Sequence, residues 1–312
     1  MPTRERQTFP LVPRRRLVGI SFGTIPSRHR GQGADVSGSR PYEPGDPVST
    51  IDWFASARLS SATGRDEFVV RDRAADEAPR VAIVCDRRPA MGLYSEALPW
   101  LSKPLALGEV TSAIAGSASA AHCDIASIDF AGADAREGEP YWLPPGRRHQ
   151  VGLIVERQAE STGFDAPEDN VSRALEFLMR LRSDLPSGSF VFVLSDFLAS
   201  VQVETWLQLQ PNGWDVVPVV LQDPTWEQSF PNVASVLVPL ADPVDGRTYS
   251  VRMTSRDVER RRDANERRHR ELLELFASLG FDPVAIGTSS ADEIDRAFLE
   301  WAEARRQTRW LR

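Results

Sequence analysis

The tightest constraint on the fold of this chain is a run of apolar residues that stops on an acid. Val81-Ala82-Ile83-Val84-Cys85 is followed at once by Asp86. Unbroken apolarity, as opposed to alternation, marks a strand buried on both faces, the habit of parallel sheets. The pattern recurs in Phe190 to Leu194, which ends at Ser195-Asp196, and in Trp214 to Leu221. Ile125 to Phe130, a short Tyr141 to Leu143 and a last Phe281 to Ile286 complete the predicted strands. Helical stretches lie between them. Residues 97–121 are rich in Ala and Leu, and Val171, Ala174, Leu175, Leu178 and Leu181 share one helical face within 170–183. A short helix is expected near 200–209. Thr254 and Asp257 form a helix-start signature, and that helix runs to about Leu279, where Gly280 suits the position just past a helix end. A last helix covers about 291–306. Residues 233–252 read as a hairpin around Pro243-Val244-Asp245-Gly246. Strands alternating with helices predict an α/β fold with a doubly wound, mostly parallel, Rossmann-like sheet.

This α/β domain is expected over residues 80–306. Upstream, residues 1–16 are rich in Arg and Pro and read as a mobile N-terminal tail. Residues 17–79 read as a small β- and turn-rich element without a helical core. It carries a short strand within Leu17 to Ile25, a turn at Pro44-Gly45-Asp46 and the run Glu67-Phe68-Val69-Val70. The full length of 312 residues fits one large domain or two small ones.

Composition narrows the partners. A net charge of −7 disfavours a general nucleic-acid binder, which carries a basic stripe. Lys103 is the sole lysine, so nearly all positive charge is arginine. Cys85 and Cys123 fall at opposite edges of the predicted sheet, so both are expected to be reduced. No stretch is apolar enough to span a membrane, and the first residues lack an apolar signal core, so a cytoplasmic location is expected.

In doubly wound sheets the working residues collect at the carboxyl ends of the strands. Two predicted strands end on aspartate, Asp86 and Asp196. A third acid, Asp169, begins the helix before the second of them. Carboxylates converging at one edge suit a hard divalent cation such as Mg²⁺. The alternative is that each Asp caps a loop or helix and meets no metal.

Residues 31–91 resemble the bacterial family called domain of unknown function 58. The string Tyr42-Glu43-Pro44-Gly45-Asp46, then Ile51-Asp52-Trp53, then Ser56-Ala57-Arg58, carries the likeness, followed by Asp86 and Met91. Ser195-Asp196-Phe197 and Trp214-Asp215-Val216-Val217-Pro218 extend it over roughly residues 28–305. The resemblance implies a von Willebrand factor A-like domain and its metal-ion-dependent adhesion site. That site has the pattern Asp-x-Ser-x-Ser, a later Thr and a last Asp. Asp86 matches the first Asp and Asp196 the last. Arg88 and Ala90 stand where the two Ser belong, and the Thr position falls on or near Asp169, with Asn170 beside it. The site is therefore degenerate, and no cofactor is expected. Three readings stay open: an internal salt bridge of Arg87 or Arg88 with Asp86 and Asp196, an outward Arg88 with a three-carboxylate site, or direct contact of Arg87 and Arg88 with a partner's acidic group. In the upstream motif, Pro44-Gly45 fits a tight turn and Asp46 can bond backbone amides. Asp52 and Arg58 can pair, and Trp53 is expected to bury its ring.

The four histidines, His29, His122, His149 and His269, show no ligand spacing, and no phosphate loop or nucleophile elbow is present. The helix with Arg256, Arg260, Arg261, Arg262, Arg267, Arg268 and Arg270 interleaves acids and reads as a solvated face. The resemblance implies a non-enzymatic protein-binding adaptor partnered with a MoxR-type AAA+ ATPase in the assembly or maturation of other proteins. The rival class is a Mg²⁺-dependent nuclease or phosphatase using Asp86, Asp169 and Asp196.

Overall fold

The computed structural model describes residues 7–14, 36–42, 51–65, 67–73, 80–93, 100–131, 139–160, 163–241 and 247–310. They divide into two compact units, one made of residues 1–14 and 80–312, the other of residues 15–79.

The larger unit is built on a six-stranded sheet. In chain order its strands are β3 (Arg80–Cys85), β4 (Asp124–Asp129), β5 (Tyr141–Gly146), β6 (Phe190–Ser195), β7 (Asp215–Leu221) and β10 (Val284–Ile286). Their order in space is β10-β7-β6-β3-β4-β5. Every pairing is parallel except the β4–β5 edge. β3, β6 and β7 are buried on both faces, as their unbroken apolar runs require. The α/β, doubly wound, mostly parallel sheet expected from the sequence is the one that forms.

Helices cover both faces. On one lie α4 (Asn170–Arg180), α5 (Val203–Leu209) and α6 (Ser255–Ser278), whose Leu175, Trp206 and Phe276 pack on Val84, Val191 and Val216. On the other lie α2 (Lys103–Ala120) and α7 (Ala291–Trp310), where Phe298 and Trp301 meet Phe192. α6 starts on a complete capping box of Thr254 and Asp257, and Gly280 takes φ +70 just beyond its end. β8 (Leu237–Ala241) and β9 (Thr248–Arg252) form the expected hairpin, whose turn residues lie outside the described ones. No helix among the described residues is long and apolar enough to cross a membrane. Cys85 and Cys123 are free and buried.

Three expectations need correction. Helix α3 (Arg148–Glu160), packed beside α2, was not anticipated. Ile154 is its one fully buried apolar residue among those described, so it lacks the stripe that announces a helix. The N-terminal tail is not mobile over residues 7–14. Phe9 stacks on Phe298 at 4.5 Å and its N–H donates to Ser117 Oγ, while the Arg14 N–H donates to Asp215 Oδ2. Arg305 fixes this segment at the amino edge of the sheet, donating to Val12 O and in a fork to both Asp215 oxygens. Its Nε also reaches Asp282 Oδ2.

The third correction concerns the smaller unit, which does contain a helix. β1 (Val36–Pro41) pairs antiparallel with β2 (Val69–Arg73), and α1 (Trp53–Thr63) lies between them in the chain. Asp52 caps α1 by accepting from the Ala55 N–H, and Gly64 closes it at φ +67. These caps were visible in the sequence, but the weakly amphipathic helix carried no apolar period to connect them. Only Ser56 of α1 is buried, accepting from the Val69 N–H. Trp53 is 59% exposed and meets Phe68 edge-on at 6.1 Å, so its ring is not buried as expected. Tyr42 follows β1 and Arg58 is exposed on α1. Pro44, Gly45, Asp46 and the stretch from Leu17 to Ile25 lie outside the described residues.

Candidate functional site

The chain runs from β3 to β4 on one side of the sheet and later returns to β6 on the other side of β3. The topological switch point thus falls between β3 and β6. The register sets Cys85 against Leu194, so the residues that follow, Asp86 and Ser195-Asp196, emerge side by side. The Asp86 N–H donates to Leu194 O at 2.9 Å, which continues the ladder one step and turns both aspartates into the same edge.

Asp86, Arg87, Arg88, Asn170, Ser195 and Asp196 are all at most 4% exposed. Arg88 points inward. Its Nη2 lies 2.6 Å from Asp86 Oδ2, 2.5 Å from Asp196 Oδ1 and 3.4 Å from Ser195 Oγ. Its Nε reaches Asp86 Oδ2 at 2.9 Å. Asp86 Oδ1 accepts further from the Arg88 N–H at 2.9 Å and from Asn170 Nδ2 at 3.0 Å. The Ser195 hydroxyl donates to Asp86 Oδ2 at 2.6 Å and accepts from the Phe197 N–H.

The second cation is Lys103, the first residue of α2. Its Nζ donates to Asp196 Oδ2 at 2.8 Å and to Glu227 Oε1 at 2.5 Å. Burial alone disfavours each of these charges. For Asp196 the nearby Lys103 and Arg88 outweigh it and hold the carboxyl below its ordinary value. For Lys103, Asp196 and Glu227 outweigh it and push the ammonium up. For Glu227 burial wins, and its carboxyl is raised. Arg88 is driven further into its charged form by Asp86 and Asp196, against burial.

The backbone around the site is constrained as well. Phe197 sits at φ 51, a left-handed conformation costly for a bulky residue. Its ring is clamped against Trp206 and, at 5.2 Å, Phe276. The Leu198 N–H donates to Asp196 Oδ1, and Gln222 Nε2 donates to Asp196 O at 2.6 Å.

Arg87 turns the other way, toward β4. It donates to Gln158 Oε1 at 2.5 Å, lies 3.9 Å from Asp129 and sits over the Phe164 ring. Arg157 of α3 pairs with Asp129 and lies 3.4 Å over the Tyr141 ring.

The structure therefore joins Asp86, Arg88, Asn170, Ser195 and Asp196, but not Asp169. That side chain is 55% exposed and pairs with Arg173 at 2.9 Å, so the three-carboxylate arrangement does not form. Ala90 lies half-buried in the 3-10 turn Pro89–Gly92 and contributes no polar atom. Buried Arg87 and Arg88 have no reach to an external acidic group, which removes the direct-contact reading. Sequence reasoning missed Lys103 and Glu227. One signal for Lys103 existed: a chain that otherwise uses only arginine keeps a single lysine, and it lies here.

A divalent cation at this edge does not fit the residues present. The carboxylate oxygens it would need already accept from a guanidinium, an ammonium, a hydroxyl, an amide side chain and backbone N–H groups. Among the described residues, no group of three or more His, Cys, Asp or Glu side chains is set to hold a metal ion.

A model of the family described as "Protein of unknown function DUF58" matches residues 38–272. No curated protein matches the chain. Similar solved structures include an aerotolerance-related membrane protein from Bacteroides fragilis NCTC 9343, 13% identical. That match covers 73% of this chain and 100% of that one at a TM-score of 0.43. The conserved hypothetical protein BatB from Bacteroides thetaiotaomicron is 12% identical, covering 72% and 100% at 0.41. The pilus adhesin SpaC from Lactobacillus rhamnosus GG is 10% identical, covering 73% and 30% at 0.42.

Proposed function

The chain belongs to the DUF58 family, and from that premise we propose a cytoplasmic, non-enzymatic protein-binding adaptor that works without a metal. Its partner is a MoxR-type AAA+ ATPase, and its task is the assembly or maturation of other proteins. The larger unit serves as a von Willebrand factor A-like platform. One observation supports this most: the switch-point edge, where α/β folds gather their working groups, is a closed ion network. Asp196 is held as a carboxylate, and Lys103 and Arg88 as cations, each already donating to or accepting from its neighbours. Asp196, Arg88 and Lys103 hold one another in their charged forms, so none of the three is poised to take a proton or attack a substrate. It is suited to hold a surface in one shape.

Exposed apolar side chains flank the same edge. Leu93 follows the turn after Arg88, Leu105 lies in the first turn of α2, and Trp100 is 41% exposed with its Nε1 donating to Asp223 Oδ2. An aromatic with a polar handle is the usual energetic centre of a protein interface. The test is affinity capture with the full chain, with partners identified by mass spectrometry. Recovery of a MoxR-type ATPase, weakened at least about tenfold by Trp100→Ala, supports the proposal. Capture of no AAA+ protein overturns it.

A further inference from the structure

We propose that β9 (Thr248–Arg252) is a dimer edge, along which two copies of this chain join antiparallel about a two-fold axis at Ser250. This pairing is independent of any ATPase partner.

β8 and β9 form a two-stranded sheet, a form that is marginal in water without a third strand or a packed face. One part of its inner face is packed, where Val238 is buried with Phe230, Met253 and Val258. Its cross-strand partner Val251 lies on the same face and is 39% exposed, and Tyr249 beyond it is 51% exposed. This small core thus stops short of β9, every residue of which is exposed.

The hydrogen bonds fix which backbone groups face outward. Ser235, at φ 65, makes a bulge: its N–H donates to Met253 O at 2.8 Å, and the Met253 N–H donates to Val236 O at 3.2 Å. Counting in twos from that closed pair, Val238 and Val251 bond to each other, and the residues on either side of them face away. On β8 the outward positions include Pro239, which has no N–H, so that edge is blunted. On β9 they are Thr248, Ser250 and Arg252, whose N–H and C=O groups meet no further strand among the described residues.

The open edge fits itself. Reversed about Ser250, Thr248 pairs with Arg252 of the second copy and Ser250 with its own counterpart, each pair exchanging two backbone hydrogen bonds. Between them Tyr249 falls opposite Val251, an aromatic against a β-branched residue at the closest cross-strand spacing. These are the side chains that the small core leaves uncovered. No like charges meet, since Arg252 faces Thr248. The two-fold makes the contact isologous, so assembly closes at a dimer. At five residues the strand gives a small interface. An area below about 1,200 Å² and a dissociation constant on the order of 10 µM are expected.

Sedimentation velocity on the full chain, from about a tenth of that concentration to about ten times it, is expected to show a reversible monomer–dimer equilibrium. Ser250→Pro removes an outward N–H, and Val251→Lys puts a charge on the exposed apolar face. Each change counts twice in a symmetric dimer, so either is expected to weaken association at least about tenfold at unchanged Tm. Val251→Lys leaves every backbone group in place and carries the test should Ser250→Pro fail to fold. The register is read by cross-linking. Chains with Tyr249→Cys are mixed under mild oxidation with tagged chains carrying Val251→Cys. The pairing sets these Cα atoms about 4.5 Å apart, within disulfide reach, whereas like variants lie about 8 Å apart and out of reach. Cys85 and Cys123 are buried and do not compete. Mixed disulfides are expected and same-variant ones are not. A chain that stays monomeric at every concentration, a dimer that the folded variants leave intact, or same-variant disulfides in equal yield overturns the proposal. The first of these results would leave the edge to an extended segment of a different protein.

Discussion

The sheet has two edges, and each buries an arginine between aspartates. At the carboxyl edge Arg88 comes from two residues beyond Asp86, so the cation and one of its acids share a single loop. At the amino edge Arg305 comes from the last helix and reaches Asp215 and the carbonyl of Val12 near the start of the chain. The first network joins the ends of β3 and β6 to the start of α2 and shapes one edge of the sheet. The second closes the chain on itself. Both are buried, so both cost more to break than to keep, because a lone buried charge is worse than none.

The largest effect is expected from Arg88→Ala, which takes the guanidinium from Asp86 and leaves Asp196 with Lys103 alone. Unfolding in urea is expected to show a loss of about 3–5 kcal/mol, and a variant as stable as wild type would break the equivalence drawn between the two edges. Arg305→Met is expected to cost about 3 kcal/mol, since Asp282 is partly exposed and less of the network is desolvated. Its distinct mark is faster hydrogen exchange at Phe9 and Arg14, which Arg88→Ala leaves protected. The double variant is expected to be additive, as the edges share no partner.

Acid sharpens the contrast. Asp196 is held below the ordinary 3.8, so its contribution is complete above that pH and is lost as pH falls through the lower folded value. Glu227 runs in the opposite sense. Burial raises it above 4.5, so the folded state gains on its protonation and loses as pH rises through that region. Lys103 is raised above 10.5, and its share is lost as pH climbs past that value into its folded range. Unfolding midpoints across pH are expected to fall less steeply on the acid side in Asp196→Asn than in wild type. Burial also pushes the Cys85 and Cys123 thiols up to about 12, so alkylation at neutral pH is expected only on unfolding. The smallest effect belongs to Asp169→Ala. Its pair with Arg173 is exposed and is expected to be worth at most about 0.5 kcal/mol.

Legibility in the sequence followed burial. β3, β6 and β7 were readable because a strand covered on both faces has no polar face to hide. The capping box of α6 was readable because it is chemistry at fixed spacing. α1 and α3 were not, since each buries too little to impose a period. At the site, the pairing of Asp86 with Asp196 followed from sheet order. The exclusion of Asp169 did not, because one residue of helical phase decides whether Asp169 or Asn170 faces in. Lys103 and Glu227 were hidden by distance along the chain, and only the rarity of lysine hinted at the first.

The chain leaves the larger unit at Arg14, tied to the start of β7, and re-enters it at Arg80, the start of β3. Those strands are two places apart in the sheet, so the exit and the return are pinned roughly 10 Å from each other. Everything between is, in polymer terms, a closed excursion. Doubling the length of such a loop costs only about 0.6 kcal/mol in closure entropy. A change of length between residues 15 and 79 therefore costs the larger unit little closure entropy, and its price falls on the smaller unit's own β1, α1 and β2.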